Sequence, residues 1–370
     1  MKPPKKFLLV VLHLLNSIIL GCLLLSAFSG YVSPVRYIFF SYLGLFFPFI
    51  FVINLAVFFV WILFKKWKQV LLHLLIFILC AGAIRTYFPL NKKTDEIPED
   101  AIKILTYNVM RFNDLFSGDP GEPPNKILQY IRDNDADIVC IQEFFTSKPN
   151  GKKLTEDVIM DAFKKYPYNY ISNANSSNRN RGHGLAIFSK FPILSTEKVP
   201  YKSSFHGSTV SELDIRGKRV TLINNHLESN KLTEEERSSY YQLTREIDAQ
   251  SLDAFSQTMI KRLTPAFKER ATQAHIISNI IMENKNPYII VCGDFNDTPI
   301  SYVRYKIKGN LRDAFVDSGF GVGSTYNKHR FLFRIDYILH SNNIKSYNCT
   351  VGSLKNSDHY PVWCYLQFKD

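Results

Sequence analysis

The stretch Ile289-Ile290-Val291-Cys292-Gly293-Asp294-Phe295-Asn296-Asp297-Thr298-Pro299 drives an apolar run straight into a Gly turn. A short β-branched run bounded by turn residues reads as a buried strand. The turn presents the carboxylate of Asp294 and, two residues on, the carboxamide of Asn296. Residues i and i+2 of an extended backbone point the same way. The pair therefore aims at one small target just past the strand end, where open α/β sheets place their ligands. Taken singly, an Asp/Asn turn is also a common way to end a strand.

The same grammar recurs along the chain. Ile102–Asn108 is a strand that delivers Asn108, and Ala136–Glu143 one that delivers Glu143. Arg219–Glu228 delivers His226, Arg334–Leu339 carries Asp336, and Ser357–Val362 holds Asp358 and His359. One polar strand ending is bland, whereas this many ending in Asn, Glu, His or Asp point to one shared site. The alternation of strands and helices predicts an α/β sandwich of two sheets with helices outside. Helices are expected at Pro123–Asn134 and Leu154–Tyr166, and an Asn/Ser/Arg loop at Ser172–Gly182. The long stretch 229–285 has helical spacing at Tyr241, Leu243, Ile247, Leu252 and Phe255, and reads as a helix with a solvated charged face.

Taken in order, Thr106-Tyr107-Asn108, Gln142-Glu143, Gly184-Leu185-Ala186-Ile187-Phe188-Ser189-Lys190, Asn225-His226-Leu227, Gly293-Asp294-Phe295-Asn296, Arg334-Ile335-Asp336-Tyr337-Ile338-Leu339 and Ser357-Asp358-His359-Tyr360-Pro361-Val362 resemble the endonuclease/exonuclease/phosphatase superfamily over about residues 101–368. The resemblance implies a four-layer α/β sandwich, two packed β-sheets flanked by helices, with the site at one end between the sheets. It also implies a metal-dependent phosphoric ester hydrolase. Asp336-Tyr337-Ile338-Leu339 stands where inositol polyphosphate 5-phosphatases carry Trp-x-Asp-Arg, which disfavours that substrate class.

Phosphoester hydrolysis needs a neutralised phosphate, an activated water and a protonated leaving group. A hard divalent cation held by oxygen ligands supplies much of the first two. Glu143, Asn108 and Asp358 are the candidate metal ligands, and an oxygen-only set without Cys/His zinc spacing points to Mg²⁺ or Mn²⁺. His359 serves either as general base or as an imidazolium beside the phosphoryl oxygens. It needs a carboxylate behind it, for which Asp336 is the choice, a pairing the resemblance also implies. His226 would contact phosphate or the leaving oxygen. Asp294 would orient or deprotonate the attacking water, and Asn296 would hold a phosphate oxygen, as would Asn108. Arg334 is a weaker candidate to support Asp336. His183, His206 and His329 are loop candidates for substrate contact, while His275 falls on a helix.

The front of the chain is different. Residues 7–28, 37–64 and 70–88 are apolar runs long enough to cross a bilayer as helices, which predicts three transmembrane helices in a region 1–90. His13 and His73 fall within them as helix-interface polar groups. The first run is too long for a signal peptide, and two more follow. Residues 91–100 read as a polar linker, and 101–370 as the catalytic domain. From Leu90 to Ala101 the linker reaches at most ~35–40 Å.

The net charge of +12 partitions as +7 in residues 1–99 and +5 in the remainder. Most of the excess is juxtamembrane, where it sets topology and touches anionic lipid. Lys2, Lys5 and Lys6 precede the first span, and Lys65, Lys66 and Lys68 lie between the second and third. The positive-inside rule then places the N-terminus in the cytoplasm and the catalytic domain outside it, although Arg85, Lys92 and Lys93 oppose this. The six cysteines form no disulfide framework or CxxC motif. The expected function is a membrane-anchored, divalent-metal-dependent phosphoesterase. Its substrate would be a lipid-headgroup phosphodiester or another envelope-associated phosphoester, with the bilayer as partner. The alternative is an extracytoplasmic endo- or exonuclease acting on DNA or RNA. Convergent ionisable groups argue against a catalytically silent scaffold, and the absence of an intramembrane charge pattern argues against a channel.

Overall fold

The structure is a computed structural model that describes residues 5–114, 125–146, 154–172, 183–201, 206–231, 249–328 and 333–369. Tyr241, Leu243 and Ile247, most of the expected 172–182 loop, and His329 lie outside the described residues, as do the side chains of His183, Leu252 and Phe255.

Two six-stranded mixed sheets face each other. The first contains β1 (Ile102–Asn108), β2 (Ile138–Phe145), β3 (Tyr168–Ile171), β4 (His183–Ser189), β11 (Ile344–Val351) and β12 (Val362–Phe368), in the order β11-β12-β1-β2-β4-β3. The second contains β5 (Ile193–Lys198), β6 (Gly207–Ile215), β7 (Lys218–His226), β8 (Tyr288–Asp294), β9 (Arg312–Asp313) and β10 (Asp336–His340), in the order β5-β6-β7-β8-β10-β9. The pairs β1–β2 and β7–β8 are parallel and the others antiparallel.

The central strands are buried on both faces, as apolar runs without alternation require. Ile104, Cys140 and Ile187 of the first sheet meet Leu222, Ile290 and Ile338 of the second between the layers. The outer face of the first sheet packs on α6 (Lys126–Asn134) and α7 (Glu156–Ala162), through Ile131 and Ile159. The outer face of the second packs on α8 (Ala249–Glu283) and α9 (Tyr302–Lys308), through Ala274, Ile277, Val303 and Ile307. The expected α/β sandwich with outer helices is therefore present. The helix expected from Pro123 begins at Lys126, where the Asn125 side chain caps the amides of Ile127 and Leu128.

The N-terminal region differs from three unbroken spans. In α1 (Lys5–Ala27), Val10–Ala27 is long and apolar enough to cross a membrane. The other two expected spans are each a bent pair. Here α2 (Phe39–Leu45) meets α3 (Phe47–Leu63) at 62°, and α4 (Trp67–Leu79) meets α5 (Ala81–Tyr87) at 66°. The first bend falls at Phe46, next to Pro48 in the opening turn of α3, where proline has no N–H to extend the preceding helix. A polar network ties three of these helices together. Trp61 Nε1 donates to Asn16 Oδ1 at 2.7 Å, Asn16 Nδ2 donates to Gln69 Oε1 at 3.0 Å, and Gln69 meets His13 at 3.1 Å. His13 and the buried His73 are interhelical groups.

The segment 91–100 is not a free tether. Asn91 Nδ2 donates to the carbonyls of Val316 and Gly319, Thr94 and Asn348 exchange hydrogen bonds, and Leu90 bridges Phe320. The helices also dock on the sandwich. Tyr42 is hydrogen-bonded to Thr264 at 2.8 Å, and the Ile300 carbonyl accepts from Ser29.

Candidate active site

The parallel strands β1, β2, β7 and β8 end at one edge of the sandwich, and the antiparallel β10 and β12 begin there. Register does the rest. Asp294 stands opposite His226 on β7 and opposite Asp336 on β10. The turn before β12 reaches Asn108, whose carbonyl accepts from Ser357 Oγ at 2.7 Å. Asn108 spans the two sheets, donating to Asp294 Oδ2 at 3.1 Å and to Glu143 Oε1 at 3.4 Å.

Two backbone positions show why these residue types occur here. Gly293 has φ 119°, and a Cβ there would lie 2.1 Å from the Asn225 carbonyl oxygen, so β7 and β8 approach closely only because it is Gly. Glu143 has φ 53°, left-handed for a non-Gly residue, within the register shift between Ile141 and Phe144 on β2. Such bulges re-aim a side chain beside active sites, and the conformation costs ~1–3 kcal/mol.

His359 Nδ1 lies 2.8 Å from Asp336 Oδ2, and its Nε2 lies 3.7 Å from Asp294 Oδ2. His226 Nε2 is 3.7 Å from the same Asp294 oxygen and 3.8 Å from Glu143 Oε1. Burial disfavours the imidazolium of His359, but Asp336, Asp294 and Asp358 outweigh it and raise its pKa well above the usual value. His226 goes the other way. Burial, with His206 and His359 beside it, lowers its pKa well below the usual value, so it is neutral. Burial raises Asp294 to about 7, with His359 pulling it down and Asp336 pushing it up. Burial and then Asp358 also raise the Glu143 carboxyl. The two imidazoles are therefore shifted in opposite directions, His359 up and His226 down, beside a carboxyl raised to about 7, a separation that lets acid and base roles coexist.

The donor set fits a hard cation. Glu143 and the neighbouring Asp358 are oxygen donors whose mutual repulsion a bound cation would relieve, while the Asn108 carboxamide here turns its Nδ2 to Glu143 and its Oδ1 to the Met110 amide. A tighter convergence of Asp294, Asp336 and His359 also has ligand spacing, with ligand atoms within 4.8 Å of one another. There His359 Nδ1 is committed to Asp336, while Asp336 Oδ1 is buried with no hydrogen-bond partner among the described residues.

Some residues behave differently from the sequence expectation. Both donors of the Asn296 amide are engaged, with the Leu227 carbonyl at 2.9 Å and Asp294 Oδ2 at 3.2 Å. Arg334 does not support Asp336. It is buried against Asp313, which it shares with Arg304, and it donates to the Thr86 carbonyl at 2.6 Å. The reason is register, since Arg334 lies two residues before Asp336 and outside β10.

Other residues gave no sequence signal of the partners they have here. His206 was a loop candidate, yet its Nδ1 lies 3.0 Å from Glu228 Oε2 and its ring meets His226 edge-on at 4.7 Å. Glu228 is the residue two past His226, a spacing that marks the pair only in retrospect. Arg270 sits fully buried on α8, whose inner face is not solvated, and donates to the Glu228 carbonyl at 2.9 Å and to Asn230 Oδ1 at 2.8 Å. His275 pairs with Tyr302 away from this edge.

A histidine–carboxylate pair, a carboxyl near neutrality and oxygen ligands at the ends of two facing sheets define a phosphoric ester hydrolase of the metal-dependent kind. The sequence profile of the Endonuclease/Exonuclease/phosphatase family matches residues 105–359, and the chain belongs to that family, whose members are metal-dependent hydrolases of phosphoester bonds. A domain of unknown function, DUF8431, matches residues 5–87. No curated protein matches the chain. Among solved structures, the human Nocturnin catalytic domain with bound sulfate is similar at 18% identity and TM-score 0.49, covering 75% of this chain and 97% of its own. A family protein from Leptotrichia buccalis is 19% identical, with TM-score 0.45 and coverage of 72% and 100%. D. rerio TDP2 complexed with a single-strand DNA product is 14% identical, with TM-score 0.46 and coverage of 72% and 99%.

Proposed function

We propose that the chain is a membrane-anchored phosphodiesterase that works with Mg²⁺ or Mn²⁺ on phosphodiesters at a bilayer surface. The observation that carries this reading is the convergence of Asn108, Glu143, His226, Asp294, Asp336 and His359 at one edge of the sandwich, beside a docked apolar helical region.

Glu143, Asn108 and Asp358 would hold the cation. Bound there, the cation neutralises phosphate charge and makes water a better nucleophile. Asp294 Oδ2 takes the proton of the attacking water, a role its pKa of about 7 suits. Asp336 fixes the His359 ring through Nδ1 and sustains its charge, so that Nε2 faces the phosphoryl oxygens as an imidazolium. His226 contacts the phosphate as a neutral hydrogen-bonding group, backed by His206 and Glu228. Asn296 positions Asp294 and the Leu227 turn. Three spans, counting each bent pair as one, anchor the domain, and the lysine distribution favours an extracytoplasmic site.

The test is a hydrolysis panel on the purified full chain with bis-p-nitrophenyl phosphate, phospholipid liposomes and plasmid DNA. Metal-dependent hydrolysis that is lost after EDTA and restored by Mg²⁺ or Mn²⁺ is expected. Full activity after exhaustive EDTA treatment would remove the cation from this account, and DNA nicking with no lipid turnover would make the enzyme a nuclease.

A further inference from the structure

A cavity of ≈740 Å³ lies between the N-terminal helices and the sandwich. That volume falls within the roughly 300–1,000 Å³ of small-molecule sites. Tyr42 and Phe46 form one wall and Met259, Leu263 and Phe267 the other, and Asn296 lies at its inner end. Asn296 Nδ2 is 3.2 Å from Asp294 Oδ2, so the cavity begins at the catalytic edge. The walls are held together by the Tyr42–Thr264 hydrogen bond at 2.8 Å and by the edge contact of Tyr42 with Phe267 at 5.5 Å.

We propose that this cavity binds the hydrocarbon chain of a membrane-lipid phosphodiester while its phosphate occupies the catalytic edge. The inference rests on the phosphodiesterase reading above. Three observations select the occupant. First, residues 38–49, which supply one wall, contain no charged side chain, and the charged groups of the whole lining are Lys231, Arg270 and the acidic Asp297. A nucleic acid strand needs cations along its path, whereas an alkyl chain needs only apolar surface. Second, that wall is the bend between α2 and α3, which together are apolar enough to enter a membrane, and Phe39, Phe46 and Phe49 along it are exposed. The cavity therefore borders the part of the chain suited to contact lipid. Third, the Arg270 guanidinium lines the polar end fully buried, and its Nη2 has no partner among the described residues. A buried donor without an acceptor is costly, and an ester or phosphoryl oxygen of the substrate satisfies it. In the reaction itself, water oxygen bonds to phosphorus, one ester P–O bond breaks, and the water proton ends on the released alcohol.

The test compares p-nitrophenyl methyl phosphate with p-nitrophenyl hexyl phosphate on the full chain in one detergent, with Mg²⁺. Each methylene placed in the cavity multiplies kcat/KM by up to about fourfold, the equivalent of ~0.8 kcal/mol. The hexyl probe is expected to exceed the methyl probe by at least about tenfold on the same scale. Phe46→Ser opens the wall to water without touching the half-buried core behind it, and Met259→Trp narrows the cavity. Both variants should retain the methyl rate and lose most of the hexyl preference, and comparison in the same detergent cancels partitioning of the probe. Equal methyl and hexyl rates in the wild type, or a preference that survives in both variants, would overturn the proposal and leave the phosphodiesterase reading standing. Hydrolysis of neither probe would overturn both. Efficient plasmid nicking without chain-length preference would turn the site over to nucleic acid.

Discussion

In the proposed mechanism Glu143, Asp294 and His359 carry separate tasks, and each is held by neighbours from other strands. Substituting each in turn by Ala removes a different role, so each variant is expected to lower turnover by at least about a hundredfold while the melting temperature stays near wild type. Three variants with near wild-type rates and unchanged melts would show that the chemistry lies elsewhere. Glu228 makes a prediction about stability. Burial pushes its pKa up, but hydrogen bonds from His206 and Lys231 win and hold it at about 2, against an ordinary value of 4.5. A carboxylate whose folded pKa is depressed contributes stability that is full above its unfolded value and is lost as pH falls through the folded one. Wild type should therefore lose thermal stability more steeply between pH 5 and pH 3 than Glu228→Gln, and parallel curves would rule the pair out as a source of acid sensitivity. The convergence of these residues at one edge was legible because each lies at or near a strand end in a motif a few residues long. The pairings of His206 and Arg270 were not, because their partners lie 22 and 27 residues away, at Glu228 and Asp297, and no local pattern records such distances.

At the scale of elements, β8 decides the site. Its parallel pairing with β7 and antiparallel pairing with β10 set His226, Asp294 and Asp336 side by side. The approach of β7 depends on Gly293, at φ 119° and against the Asn225 backbone. Gly293→Ala therefore forces both a rarely adopted φ and a clash with backbone. It is expected to destabilise the domain by on the order of 3 kcal/mol, read from a denaturant melt, and a cost below ~0.5 kcal/mol would mean that the strands part easily there. The apolar run 289–292 and the Gly that follows it were readable as strand and turn. The order of strands within each sheet was not, because pairing is long-range. The break at Phe46 was hidden because residues on both sides of it are equally apolar, so composition alone continues the helix through the bend.

At the scale of the molecule, the polar composition of residues 91–100 suggests a swinging tether, but a polar segment can dock as readily as it can hang in solvent. The contacts of Asn91 and Thr94 bind it along the sandwich, which fixes where the helices sit relative to the catalytic edge. The proposed orientation of that edge rests on the lysines. With Lys2, Lys5, Lys6 and the 65–68 cluster on the cytoplasmic side, an odd number of spans delivers the domain to the opposite side. Protease added to sealed right-side-out membranes should digest it, and protection until lysis would reverse the topology. The docking also predicts how the domain behaves alone. The buried Arg334 guanidinium donates to the Thr86 carbonyl, and Ile300 packs in one cluster with Leu23, Phe47 and Tyr87 of the helical region. A 100–370 fragment loses that acceptor and exposes that cluster, along with the apolar wall at Leu263 and Phe267. Removing one partner from a buried hydrogen-bonded charge and baring apolar surface each cost ~1–3 kcal/mol. The fragment is therefore expected to melt well below the full chain or to aggregate, whereas a fragment beginning at residue 81, which keeps α5 and Thr86, should recover part of the difference. Identical melts for all three proteins would mean that the helical region rests on the sandwich without stabilising it, and that its role is anchorage alone.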